Sequence, residues 1–226
     1  WCLMQFFVIS ETGLSALNHI EWFLTYYDIL VDNAFGNYTD LLKAITRSPA
    51  MGLYLTYINN RSEYTVSGTT IYPDENYARE IMQLFSIGLW KLNADGSQSL
   101  DGDGNPIPTY DNSDIEMFAK LFTGYQYDTT DDASVENVYG NNRVANMVMN
   151  PSRHDFSEIT SANVFGNGVS IDTPAEEDAT TAQGRIDDFI GKLASHENTA
   201  PFFAKAMIQM MTCSNPTPDY IEAVAG

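Results

Sequence analysis

A chain of 226 residues with 44% hydrophobic and 12% aromatic content is long enough to bury a real core and too apolar for disorder. Eleven basic residues against thirty acidic ones give a formal net charge of −19, which argues against nucleic acid or an anionic membrane surface as partner, since both demand basic patches. No apolar run reaches the roughly 18 residues that a bilayer-spanning helix needs, so no membrane span is expected.

In chain order, WCLMQFFVIS opens on a dense apolar run that reads as the middle of a core element. Its packing mates are therefore expected from a missing N-terminal segment of a longer chain or from another subunit. Leu14 to Val31 reads as a long helix, with Leu17, Ile20, Leu24, Tyr27 and Val31 on one stripe and Phe23, Tyr26 and Leu30 beside it. His19 on that helix reads as a surface or capped residue. The turn residues Gly36 and Asn37 break the pattern, Leu41 to Thr46 resumes it, and Ser48-Pro49 opens a further helix with Ser48 as N-cap. Arg61 to Tyr72 is polar and β-branched, a surface loop or short strands. Asn37-Tyr-Thr and Asn60-Arg-Ser fit the N-glycosylation acceptor pattern, though such triplets also arise by chance.

Pro73 to Trp90 (PDENYAREIMQLFSIGLW) is expected to be the central helix. Tyr77, Ile81, Leu84, Phe85 and Gly88 share one face, and Ala78, Met82 and Leu89 widen it. Glu80 falls at the edge of that arc and Arg79 points elsewhere, so each needs a partner from another segment. Residues 92–109 read as a β-hairpin, and Ser113 with Glu116 has capping-box spacing before a helix that Gly124 ends. Tyr125 to Asn150 shows no period, Pro151 to Ile171 is irregular and then strand-like, and three helices follow from Ala182, Thr199 and Thr217. Cys2 and Cys213 fit either one disulfide or two buried free thiols. With neither an internal repeat nor a dividing linker in view, the fold class is mainly α: a single helical domain over residues 1–226, of about seven to eight helices, with a β-hairpin and long irregular loops.

Four stretches carry a resemblance: FGNYTDLLKAITRSPAMGLYLTYINN (Phe35–Asn60), PDENYAREIMQLFSIGLWKLNADGS, IPTYDNSDIEMFAKLFTGY and RHDF. In these the chain resembles the domain of unknown function 1800 family, from about Phe6 to Ala225. Members are large, mostly bacterial proteins, often with export signals, and no biochemical role is established for them. The resemblance implies that this chain is the C-terminal part of a longer helical family domain, and it lends no mechanism.

Two constellations could carry chemistry. In DGDGN, Asp101, Asp103 and Asn105 alternate, with Asp95 nearby, a pattern able to present several oxygens to calcium. It begins like an EF-hand loop but departs at Pro106, and a plain Gly/Asp turn is the competing reading. The second joins Glu80, His154 and Asp155. Converging on an open pocket they would suit a hydrolase-like or metal-dependent enzyme; otherwise Arg79 and Glu80 form a structural network tying the central helix to the RHDF loop. No nucleophile elbow, P-loop, HExxH or CxxC is present. The leading expectation is thus a secreted or cell-surface structural or interaction module, with the enzyme as alternative.

Overall fold

The computed structural model describes residues 1–10, 20–129, 137–138, 141–165 and 170–226. Its first half carries α1 (Cys2–Phe6), α2 (Ile20–Asp32), α3 (Tyr38–Arg47), α4 (Pro49–Tyr54), α5 (Asn76–Gln83) and α6 (Asn112–Ala119). After these come α7 (Ala162–Phe165), α8 (Ala179–Ala194), α9 (Thr199–Met211) and α10 (Pro218–Ala225). Mainly α is therefore correct, with ten helices among the described residues where the sequence suggested seven or eight. The additions are the short α1 and α7, too brief to show a period. His19 and the start of the expected first long helix lie outside the described residues.

Strands occur only as two-stranded antiparallel pieces among the described residues. β1 (Tyr64–Val66) and β2 (Thr69–Ile71) form a hairpin that stands out from the body, turning at Ser67-Gly68 where both residues have positive φ. β3 (Tyr125–Gln126) pairs with β6 (Val148–Met149), β4 (Asn137–Val138) with β5 (Asn141–Asn142), and β7 (Ile159–Thr160) with β8 (Ser170–Ile171).

The core lies where α3 packs on α8 and α5 on α6. Leu42, Ile45, Ile81, Met82, Phe122, Ile186, Phe189 and Ile190 are fully buried there. At its centre Tyr57 and Tyr77 stack with ring centroids 4.0 Å apart, and Phe122 meets Tyr77 edge-on at 4.8 Å. Their hydroxyls are satisfied by one residue of α3. Thr46 Oγ1 donates to the Leu42 carbonyl at 2.6 Å and lies 2.7 Å from the Tyr77 hydroxyl, while the Tyr57 hydroxyl donates to the Thr46 carbonyl at 2.7 Å. Burial drives both phenols well above their usual pKa, so they stay neutral donors.

The central helix is shorter than its apolar pattern. α5 ends at Gln83, and the bonds then widen: Phe85 N–H reaches the Glu80 carbonyl, and both Ile87 and Gly88 N–H reach that of Met82. Ser86 Oγ takes the Ile81 carbonyl at 2.6 Å, and Gly88 at φ +69° turns the chain away. Leu84 and Leu89, expected inside, are consequently exposed. On α2 the expected main stripe faces out at Leu24, Tyr27 and Val31, while Tyr26 and Leu30, expected beside it, face the core together with Trp22. Both sides of that helix are apolar, so periodicity could not choose between them.

The N-terminal run is packed partly by the chain itself. Phe7 and Ile9 are buried, Tyr26 donates to the Phe7 carbonyl at 2.8 Å, and Phe6 sits among Phe85, Phe202 and Phe203, whereas Trp1 and Val8 are exposed. Cys2 is half-buried and Cys213 exposed, and both are free thiols.

Residues 89–109 are not one hairpin but a three-way junction. Leu92 pairs with Gln98, Leu100 with Pro106 and Trp90 with Pro108, all antiparallel. At the centre the bonds run in a ring: Ser99 N–H to the Lys91 carbonyl at 2.8 Å, Ile107 N–H to that of Ser99 at 3.2 Å, and Lys91 N–H to that of Ile107 at 2.8 Å. Lys91, Ser99 and Ile107 are evenly spaced, so KLNADGSQ, SLDGDGNP and IPTYDNSD form a short octapeptide repeat absent from the sequence reading. The capping box on α6 is also set earlier than expected. Asp111 is the N-cap, accepting from Ser113 and Asp114 N–H, and Asp114 accepts from Asp111 N–H in return.

Thr46→Val tests the central network. It leaves the Tyr77 hydroxyl without its buried partner and should cost about 1–3 kcal/mol in urea unfolding. A midpoint equal to wild type would show that the tyrosine pair is held by packing alone.

Candidate functional site

The site grows from segment 123–125, which threads between two loops. Gly124 has φ +95°, and a Cβ there would stand 2.9 Å from the Asn150 carbonyl oxygen and 3.1 Å from His154 Cβ. Only glycine lets the chain pass so close. Thr123 then anchors the RHDF loop: its carbonyl accepts from His154 Nδ1 at 2.8 Å and its Oγ1 from Asp155 N–H at 2.8 Å. A carbonyl can only accept, so Nδ1 carries the proton and Nε2 presents a lone pair. That lone pair faces Arg185 Nη1 at 3.4 Å.

Arg185 comes from the buried face of α8. Its Nη1 donates to the Asp155 carbonyl at 2.7 Å, its Nη2 to the Ser157 carbonyl, and its guanidinium lies 5.9 Å over the Phe156 ring. The guanidinium thus holds three consecutive residues in one arc. Burial depresses the His154 pKa to about 4, with the Arg185 charge adding to the effect, so the ring is neutral at pH 7.

Above this loop lies an acidic cleft. A hollow of about 710 Å³ is lined by Glu63, Glu75, Glu116 and Asp155, with Lys120 and the exposed Tyr72. A second hollow of about 370 Å³ shares Glu63 and Asp155 and continues to His154, Thr173 and Glu177. Glu63 and Tyr72 flank the β1–β2 hairpin, which therefore overhangs the cleft. Of the five carboxylates only Glu75 has an ion pair among the described residues, with Arg79 at 3.1 Å.

The structure does not gather the sequence candidates as one site. His154 and Asp155 are adjacent and line the cleft's far end, but Glu80 borders neither hollow. Glu80 is half-buried with Oε2 sealed and unpartnered, and desolvation raises its pKa against the opposing effect of Arg79. Arg79 bonds back to Glu75, so the tie expected between Arg79 or Glu80 and the RHDF loop is made by Arg185 instead. Arg185 was visible in principle, since it stands three residues after Ala182 on the inner stripe with Ile186 and Phe189.

The proposed metal residues are divided between two arms of the junction. Asp95 belongs to the first, where it accepts from Ser97 N–H and Oγ; Asp101, Asp103 and Asn105 belong to the second. Asp101 Oδ1 accepts from Asp103 and Asn105 N–H at 2.9 and 2.8 Å, and these bonds, the one from Asn105 foremost, lower its pKa. No group of three or more His, Cys, Asp or Glu able to hold a metal is found among the described residues. Of the glycosylation candidates, Asn37 is exposed and caps α3 through Thr39 N–H. Asn60 is half-buried and accepts from Asp74 N–H while its Nδ2 reaches the Asp74 carbonyl at 3.4 Å.

The His154 geometry fixes a pH response. A depressed folded pKa means that the unfolded state takes up a proton below its ordinary value of 6.5 while the folded state does not until about 4. Stability is fully present above 6.5 and falls across that window, by at most roughly 3 kcal/mol. His154→Gln, which has no charge to gain, should lose less stability than wild type between pH 7 and pH 4.5 in thermal melts. Parallel pH profiles would contradict the placement of His154.

A family model described as "Protein of unknown function (DUF1800)" matches residues 1–226. Neither a curated protein nor a solved structure matches the chain.

Proposed function

The chain belongs to the DUF1800 family, whose description carries no activity, and we propose that it is an interaction module, exported or displayed at the cell surface, that grips a positively charged segment of a partner protein. One observation carries this reading: Glu63, Glu75, Glu116, Asp155 and Glu177 border one cleft that, among the described residues, holds a single lysine, Lys120. Like charges held together repel, and a cationic side chain entering between them relieves that repulsion. The net charge of −19 adds a long-range field that steers basic partners inward. Tyr72, Pro73 and Met117 give the hollow an apolar wall on which lysine or arginine stems can lie. Val66, Ile71 and Tyr72 on or beside the overhanging hairpin are exposed, which suits a lid that a bound segment would cover.

The alternative, a hydrolase-like or metal-dependent enzyme using Glu80, His154 and Asp155, draws less support. Both ring nitrogens of His154 are engaged, by Thr123 and Arg185, and a general base needs one free for substrate.

A fluorescent deca-lysine peptide is a suitable probe at low salt. The double substitution Glu63→Gln, Glu116→Gln should weaken its binding about tenfold, whereas Asp219→Asn, Glu222→Gln on α10, an equal change in charge, should weaken it far less. Equal losses in the two variants would reduce the attraction to net charge and remove the cleft from the account.

A further inference from the structure

A third hollow, of about 510 Å³, lies between the three-way junction and α9, and its chemistry differs from that of the acidic cleft. One wall is apolar: Trp90, Leu89, Leu92 and Phe202. Trp90 is 40% exposed in the short stem of the junction, where backbone bonds on both sides fix its position. Its carbonyl is held by the fully buried Asn198, whose Nδ2 also donates to the Ile87 carbonyl and whose Oδ1 accepts from Leu92 N–H. Gly88 completes this wall, because a Cβ there would meet the Phe202 ring at 2.8 Å. The indole is thus an exposed apolar plate on a rigid mount.

The rim is polar and under-used. The side chains of Gln98 and Lys205 make no hydrogen bond or ion pair among the described residues, nor does the Trp90 indole N–H. Among the described residues the Gln209 side chain bonds through Nε2 alone, to the Ser214 carbonyl at 3.2 Å. Among the described residues no carboxylate lines the hollow, so a cation finds no counter-charge from them. A polyanion is disfavoured by the net charge of −19. A wholly apolar ligand would desolvate the amide, ammonium and indole groups with nothing in return.

We propose that this hollow binds a neutral sugar ring. A pyranose has one face of C–H groups to lie on the indole and a rim of hydroxyls that both donate to and accept from amides. Gln98 and the Oε1 of Gln209 can bond sugar hydroxyls, and Lys205 and the indole N–H supply donors to ring or hydroxyl oxygens. The site is separate from the cleft, so each can fail without the other.

Saturation-transfer NMR on the full chain with cellotriose, maltotriose and N,N′,N″-triacetylchitotriose tests it. At least one of these neutral trisaccharides should receive transfer, strongest at its axial C–H protons. Trp90→Ala should abolish it, and Gln98→Ala, an exposed change that spares the fold, should weaken binding about fivefold or more. Trp90→Phe, which keeps an aromatic plate, should retain part of it. Absence of transfer from all three sugars at about 20 mM overturns the proposal, as this exceeds the millimolar dissociation constants of weak single-ring sites. Signals that survive both Trp90→Ala and Gln98→Ala, or that appear only with a trigalacturonate control, would overturn it as well.

Discussion

The buried guanidinium of Arg185 is the contact on which the acidic cleft depends. A charge taken into a protein interior must be matched by hydrogen bonds or it costs more than packing returns. Here the matching groups are backbone carbonyls of Asp155 and Ser157 and the ring nitrogen of a neutral histidine, with no carboxylate bonded to it among the described residues. Arg185 therefore fixes backbone, not a side chain, and the backbone it fixes carries Asp155 to the floor shared by both hollows. His154 has to be neutral for this arrangement to stand, because an imidazolium would face the guanidinium directly.

That loop is in turn bolted to the core through segment 123–125. Thr123 bonds two residues of the loop, Gly124 exchanges bonds with Asn60 and Asn150, and the Tyr125 hydroxyl donates to Gln183 of α8 at 3.0 Å. The same helix α8 supplies Asp187, which takes two bonds from Arg47 Nη2 at 2.6 and 2.8 Å. One helix thus organises both the packed interior and the rigid side of the cleft. The other side, the β1–β2 hairpin, has almost no buried surface, and two strands alone are marginal in water. Under the function proposed above, a rigid acidic floor beneath a loosely held arm would serve to capture an extended chain.

Much of the helical body was legible because long apolar periods survive tertiary context. α3, α4, α8, α9 and α10 lie close to where spacing and caps put them. What failed did so locally. The Pro73–Trp90 period continues past Gln83 on paper, but the Ser86 hydroxyl competes for the Ile81 carbonyl and Gly88 reverses the chain. On α2, two apolar faces gave the pattern no preferred side. The three-way junction is hidden from sequence patterns because its period of eight resembles neither helix nor strand, and its turns match only in scattered Asp, Gly and Ser positions. The site was half legible: His154 and Asp155 were found from the RHDF motif, but their partner was sought beside Glu80. Arg185 sits 31 and 30 residues downstream of them in the chain, and separation of that kind is invisible to spacing arguments.

Amide hydrogen exchange read by mass spectrometry on Arg185→Lys measures this account most directly. Lysine keeps the charge but loses the planar fork that reaches two carbonyls at once. The amides of His154, Asp155 and Ser157, now bonded to Pro151, Thr123 and the Asp155 carboxylate, should exchange markedly faster, while peptides from α3 and α5 keep their protection. Unchanged exchange at residues 154–157 would contradict the claim that Arg185 holds the floor of the cleft.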